Sequence, residues 1–447
     1  MYIIYCKYSG NMLIYSYKEE NEMSLRKQEY INRLIDKKIE DYLSVFGAIS
    51  IEGPKWCGKT WTSLNHANSR VSLDDEETKQ KAELSLEYIL DNEAPELIDE
   101  WNLVPKVWDA VRRKCDDTVK KGIYILTCST KLSDEEERKK VHHSGAGRIG
   151  KINMYTMSLY ESGDSTGKAS ILDMYNDKIE NTKNRSVTLN DLANYIIRGG
   201  WPSNINTDKN KIGIIPKNYI KSILDKDIND GKQRDREKMY MLLKSLARNE
   251  STVVGNNTLL KDIEQNENEK NLLESRITID DYLDVLNRLH LIKNQSAYSQ
   301  NYRSPQRVGK SPKRHFIDPS LAAACLNLTD KKLMDDLNTF GFLFEALVER
   351  DLRIYMDYLD GELYHFRDNV TGLEVDSILE FSDGDYAAVE IKLGLNQVED
   401  AKNNLLKFYD LMNKKPKFMC IVVGFTDVIA KDPETGIYIV PITALKP

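Results

Sequence analysis

The eight residues Gly53-Pro54-Lys55-Trp56-Cys57-Gly58-Lys59-Thr60 constrain this chain more than any other feature. They fit the spacing G-x-x-x-x-G-K-[ST], in which glycines let the backbone curl until its amides face an anion. That arrangement needs a strand before the loop and a helix N-terminus after it, and the sequence supplies both. Residues 46–51 are a short apolar run, and residues 61–64 open a helical pattern. Gly53, Pro54, Lys55, Trp56, Cys57, Gly58, Lys59 and Thr60 are therefore candidate nucleotide-binding residues. Lys59 would neutralise the β/γ charge of ATP and Thr60 would ligate Mg²⁺.

Leu97-Ile98-Asp99-Glu100 reads as an apolar strand ending in two acids. Asp99 is the candidate for the Mg²⁺ shell and Glu100 for polarising the attacking water. Two acids also end many solvated strands; the phosphate loop upstream is what gives this pair a chemical role. Strands are expected at 70–73, 96–99 and 123–127, in a mostly parallel α/β sheet after an opening helix within 24–45. Thr127-Cys128-Ser129-Thr130 follow the last of these strands, where Ser129 would sense the γ-phosphate; ordinary turn chemistry is the other reading. Arg148, in Gly145-Ala146-Gly147-Arg148, is either an arginine finger for a neighbouring copy, which implies a homo-oligomer, or a plain loop arginine. Residues 161–167 read as a polar loop beyond the last strand.

At 447 residues the chain is too long for one hydrophobic core. Its net charge of -7 gives no global pull toward nucleic acid or an anionic membrane. No apolar run approaches the roughly 20 residues that span a bilayer. The six cysteines are scattered without metal-ligand spacing, so a disulfide framework is not expected and the reducing cytoplasm is. Residues 1–23 read as an N-terminal extension.

From 205 to 330 the pattern is largely helical, with helices at 240–248, 259–263 and 279–291 before an extended basic segment. That order resembles a winged helix. Residues 211–315 hold 20 basic and 14 acidic side chains in an otherwise acidic chain. Arg288, Lys293, Arg303, Arg307, Lys310, Lys313 and Arg314 follow one another with no acid between them. With Tyr298 and Tyr302 they would contact nucleic acid, or form a solvated face, or dock on the acidic N-terminal part.

Residues 331–447 read as a further α/β part, with a helix at 340–355 and strands at 362–366, 374–381, 387–392 and 418–423. Period-two spacing puts Glu374 with Asp376 on one strand face and Glu390 with Lys392 on another. Asp383-Gly384-Asp385 is hairpin turn chemistry that would set the two strands side by side. Asp376 and Glu390 would then bind a metal, Lys392 would act on a phosphodiester, and Glu345 is a further acid. Ordinary surface ion pairs are the alternative.

These motifs together resemble a prokaryotic family of AAA-type ATPases that carry a C-terminal domain of unknown function with a restriction-endonuclease-like fold. The resemblance runs from about residue 28 onward. Its carriers are the phosphate loop, Leu97-Ile98-Asp99-Glu100-Trp101, Ile125-Leu126-Thr127-Cys128-Ser129 and Ser144-Gly145-Ala146-Gly147-Arg148. Arg198-Gly199-Gly200-Trp201-Pro202, Asp318-Pro319-Ser320-Leu321-Ala322, Gly341-Phe342-Leu343-Phe344-Glu345 and the Asp376/Glu390/Lys392 set follow. It implies an α/β multidomain chain: an AAA-type P-loop sheet (24–204), a winged-helix-like helical middle (205–330) and a restriction-endonuclease-like end (331–447). The expected activity is Mg²⁺-dependent ATP hydrolysis coupled to nucleic-acid binding or cleavage. The alternative is a nucleotide-regulated binding module whose nuclease-like part is inactive.

Overall fold

The computed structural model describes residues 25, 29–132, 141–229, 233–264, 272–304, 307, 311–368 and 370–447. The expected N-terminal extension and Lys310 lie outside the described residues.

Strands β1 Ala48–Glu52, β2 Ser69–Ser72, β3 Glu96–Asp99, β4 Tyr124–Cys128 and β5 Ile149–Asn153 form a parallel sheet in the order β2-β3-β4-β1-β5. Because helices cover both faces of such a sheet, β1 is buried at every position. Ile49 and Ile51 pack with Ile39, Leu64 and Ile125 on one face, whereas Ala48 packs with Trp101, Trp108 and Val111 on the other. The opening helix is Ile35–Val45, shorter than the expected 24–45. The Asp36 carboxylate accepts the Arg33 amide at 2.7 Å and starts the helix there. Strand β5 has no counterpart in the expected set; its sequence Ile-Gly-Lys-Ile-Asn alternates buried and exposed only in its second half.

Residues 169–198, grouped on sequence with the first segment, pack instead with the far end of the chain. Ala169–Ser170 pairs with Leu445–Lys446, and Thr182–Lys183 pairs with Val428–Lys431. One apolar core runs through Leu159, Leu192, Trp201, Leu286, Phe344 and Leu445. The 161–167 stretch is likewise tied down: Thr166 donates its amide to the Thr443 carbonyl at 2.8 Å, and Glu161 is buried.

In the middle, helices Arg236–Arg248, Asn256–Glu264 and Leu272–Arg288 lead into an antiparallel hairpin of Ile292–Gln295 and Lys313–Phe316. Helix Leu337–Tyr358 then precedes strands Glu362–Arg367, Glu374–Glu380 and Tyr386–Gly394, which pair antiparallel in that order. After helix Val398–Leu411, strand Phe418–Phe425 returns parallel to Tyr386–Gly394. Gly384 at φ 82 makes the turn at Asp383–Asp385, a conformation glycine adopts without a Cβ clash. No helix among the described residues is long and apolar enough to cross a membrane.

Candidate functional site

The phosphate loop leaves the carboxyl end of β1 and enters helix Lys59–Leu64. Gly58 has φ 104, and a Cβ on Gly53 would lie 2.2 Å from the Met154 carbonyl oxygen. Both positions thus need glycine, one for its dihedral and one for its space. Lys59 is buried and donates Nζ to the carbonyls of Gly53 at 3.0 Å and Pro54 at 2.9 Å. Those carbonyls hold the ammonium beside the loop whose amides would wrap a phosphate.

Asp99 ends β3, two strands away, and reaches the same spot. Thr60 donates its hydroxyl to Asp99 Oδ1 at 3.0 Å, Thr127 donates to the same oxygen, and Arg70 holds Oδ2 at 2.9 Å. Glu100 follows in the left-handed region at φ 56, which turns its carboxylate toward the end of β4. There Ser129 donates its amide at 3.2 Å and its hydroxyl at 3.0 Å to Glu100 Oε2. Thr60, Asp99, Glu100 and Ser129 therefore meet at one edge of the sheet. A hydroxyl and a carboxylate 3.0 Å apart, beside glycines that clear space for an anion, fit Mg²⁺ held with a nucleotide phosphate.

Arg148 does not join them. It precedes β5 at the opposite end of the sheet, where its carbonyl accepts the Ala48 amide and its Nε pairs with Asp116 at 2.7 Å.

Sequence reasoning passed over three residues that shape this edge. Arg33 donates Nη1 to the Cys57 carbonyl inside the loop at 2.9 Å and Nε to Glu161 at 2.9 Å. Neither residue sits in a recognisable motif; only the folded chain brings them within reach, 128 residues apart in sequence. His290 is the third. The Lys131 amide donates to the Arg288 carbonyl at 3.2 Å, docking this turn on the loop after β4. His290 Nε2 is buried there without a hydrogen-bond partner among the described residues. Burial, then the charges of Lys131 and Lys59, push its pKa down to about 3 and keep the ring neutral.

The second acidic centre lies in the C-terminal part. Lys392 Nζ spans Asp376 at 3.2 Å and Glu390 at 2.6 Å, and the Ile391 amide donates to Asp376 at 2.8 Å. Asn404 donates to the other oxygen of Glu390 at 2.7 Å. The three side chains do converge, whereas Glu374 turns away to pair with Arg367. Burial raises Glu390 to about 8, helped by the Asp376 charge, and burial likewise raises Glu345 to about 8. Lys313 sits on Glu345 at 2.6 Å. Burial opposes the charge on Lys313 and Lys392, but the facing carboxylates outweigh it and hold both above the usual lysine range. No group of three or more His, Cys, Asp or Glu among the described residues is arranged to hold a metal ion. Asp376, Glu390 and Glu345 do not fit a divalent cation as they stand, because two ammonium groups already supply the charge.

The basic run is also largely committed within the chain. Arg307 pairs with Glu380 at 2.8 Å and stacks on Tyr298, Tyr302 and Tyr364. Arg288 pairs with Asp284 at 2.9 Å, and Arg314 donates to Asn256 at 2.6 Å. Tyr298 is buried against Tyr386. The segment meets both neighbours: its start at Arg288 accepts the Lys131 amide of the N-terminal part, and further on Ala297 is bridged to His365 of the C-terminal part.

The parallel sheet, the glycine-dependent loop after its central strand and the acid opposite fit a P-loop fold. Residues 45–163 match the family model of an AAA domain. Residues 189–332 match a domain of unknown function, DUF8612, and residues 340–445 another, DUF4143. Among solved structures, the Walker-type ATPase PABY2304 of Pyrococcus abyssi is similar at 12% identity, covering 68% of this chain and 98% of that one, with TM-score 0.42. The ORC2 protein of Aeropyrum pernix in its ADP form gives 11% identity, 72% and 98% coverage and TM-score 0.29. The RuvB Holliday junction branch migration motor of Thermotoga maritima gives 14%, 69% and 99%, with TM-score 0.28. A comparison with curated proteins gave no match.

Proposed function

We propose that this chain binds ATP with Mg²⁺ and hydrolyses it at the edge where β1, β3 and β4 end. The observation that carries the reading is the 3.0 Å contact between Thr60 Oγ1 and Asp99 Oδ1, made across the sheet from a glycine-dependent loop. Bound Mg²⁺ would supply charge for the β- and γ-oxygens, held by Thr60 and Asp99. Lys59 would exchange its bonds to the Gly53 and Pro54 carbonyls for phosphate oxygens. Glu100, aimed by Ser129, would orient the attacking water, and His290 closes the same edge from the middle helices. Arg148, half-exposed and paired with Asp116 on its own surface, would serve a neighbouring copy's nucleotide in a homo-oligomer. Purified protein should turn over ATP with Mg²⁺, and Lys59→Ala should abolish turnover; undiminished turnover in that variant removes the reading.

For the rest of the chain we propose a winged-helix-like middle and a restriction-endonuclease-like C-terminal part. Three helices ahead of an antiparallel hairpin support the first. The helix, three antiparallel strands, helix and parallel strand that bring Asp376, Glu390 and Lys392 together support the second. Nucleic acid is the partner this arrangement suits, coupled to the ATPase cycle. The lysine-filled acidic centre favours a binding or signalling role over cleavage. Incubation with DNA and RNA under Mg²⁺ or Mn²⁺, beside an Asp376→Ala control, separates the two: cleavage lost in the control points to a nuclease.

A further inference from the structure

Strand Lys313–Phe316 carries Lys313 and His315 two residues apart, and helix Leu337–Tyr358 carries Glu345 and Glu349 four apart. The spacings match, since a strand repeats one face about every 6.6 Å and a helix climbs about 6 Å in four residues. Lys313 Nζ reaches Glu345 at 2.6 Å while His315 Nε2 reaches Glu349 at 2.7 Å. Glu250 takes the other ring nitrogen of His315 at 3.0 Å, so both nitrogens face carboxylates. Lys313 also lies 3.7 Å from Glu349 and 3.4 Å from the Asp376 carbonyl oxygen. Neither Lys313 nor His315 belongs to the C-terminal part: the middle hairpin delivers both.

Here the side chains of Glu345, Asp376 and Lys392 keep 14%, 18% and 23% of their surface exposed, while Lys313 keeps 8%. Lys313 is thus the inner cation of a centre whose outer acids face solvent. With it removed, Glu345 would join Asp376 and Glu390 as three carboxylates served by Lys392 alone, an arrangement that attracts a divalent cation.

We propose that Lys313 is an intramolecular cation that closes the acidic centre, so that the C-terminal part takes up no divalent metal while the Lys313 ammonium sits on Glu345. The inference rests on the reading of Asp376 and Glu390 given above.

Mn²⁺ binding to nucleotide-free, full-length protein, followed by electron paramagnetic resonance of the free ion, tests it. Wild type should bind no Mn²⁺ at this centre. Lys313→Met should gain about one equivalent and lose it again in the Lys313→Met/Asp376→Asn double variant, while Lys313→Arg stays closed. Lys313→Gln, which keeps the chain length without the charge, replaces the methionine variant if circular dichroism shows that one to be misfolded. Asp376-dependent Mn²⁺ binding by wild type overturns the lock but leaves the C-terminal reading standing. No binding by a folded, uncharged Lys313 variant overturns both.

Discussion

Arg33 and Cys57 are joined through a single hydrogen bond, the guanidinium Nη1 donating to the carbonyl oxygen at 2.9 Å in the middle of the phosphate loop. The same guanidinium is paired with Glu161, whose second oxygen accepts the Ser158 amide at 2.8 Å. One residue on, the Leu159 amide donates to Asp351 of helix Leu337–Tyr358 at 3.0 Å. Arg350 then links Asp351 at 2.7 Å to Asp318 at 3.2 Å. The loop's shape is therefore tied by buried polar contacts to the helix that carries Glu345.

Arg33→Ala removes the donor and leaves Glu161 buried without its charge partner, a loss of about 3–5 kcal/mol by the usual cost of breaking a buried pair. Thermal unfolding should register that loss. Titration with a fluorescent ATP analogue should show affinity falling at least about tenfold, with Arg33→Lys intermediate because lysine keeps the charge but not the fork. Unchanged affinity in a folded Arg33→Ala protein would show that the loop holds its form without this bond.

Glu100→Gln keeps the shape and the acceptor for Ser129 while removing the charge proposed to orient water. Single-turnover and steady-state assays should show kcat down by about 100-fold or more and nucleotide affinity nearly unchanged. An equal loss in binding would place Glu100 on the nucleotide itself.

Gly53→Ala and Gly341→Ala should act with opposite sign. The first drives a Cβ to 2.2 Å from the Met154 carbonyl, so the loop must move and nucleotide binding should be lost. The second meets no atom within 4 Å on helix Leu337–Tyr358. It should stabilise by about 0.5–1 kcal/mol, the helical preference for alanine over glycine. Denaturant melts of both variants, beside ATP binding, check the pair.

Stability should fall as pH rises from about 6.5 to about 9. Burial opposes the charge on His315, but Glu349 and Glu250 outweigh it and raise its pKa to about 9 from 6.5. The folded state thus binds a proton the unfolded state releases. The contribution is whole below 6.5 and is lost as pH climbs through 9, on the order of 3 kcal/mol. His315→Gln should flatten that slope in melts across this range, whatever it does to stability overall; an unaltered slope would assign it to another group.

The phosphate loop was legible because its chemistry is local: eight consecutive residues suffice to specify a turn that only glycines at Gly53 and Gly58 allow. Asp99 and Glu100 were legible for a related reason, as they directly end an apolar strand. Period-two spacing and the Asp383–Asp385 turn likewise anticipated that Asp376, Glu390 and Lys392 would meet. Arg33, Glu161 and His290 were not legible, since nothing near each in sequence marks a role that depends on contacts far along the chain.

The sequence by itself determined which segments become strands and helices around these motifs and which atoms they offer, because dihedral limits and burial patterns act over a few residues. Only the tertiary structure decided how the offers are taken up. It sent the basic hairpin onto the C-terminal acids, set Lys313 against Glu345 and drew residues 169–198 away from the first sheet. Those outcomes follow from burying apolar surface and pairing charge across long chain separations, which no local pattern records.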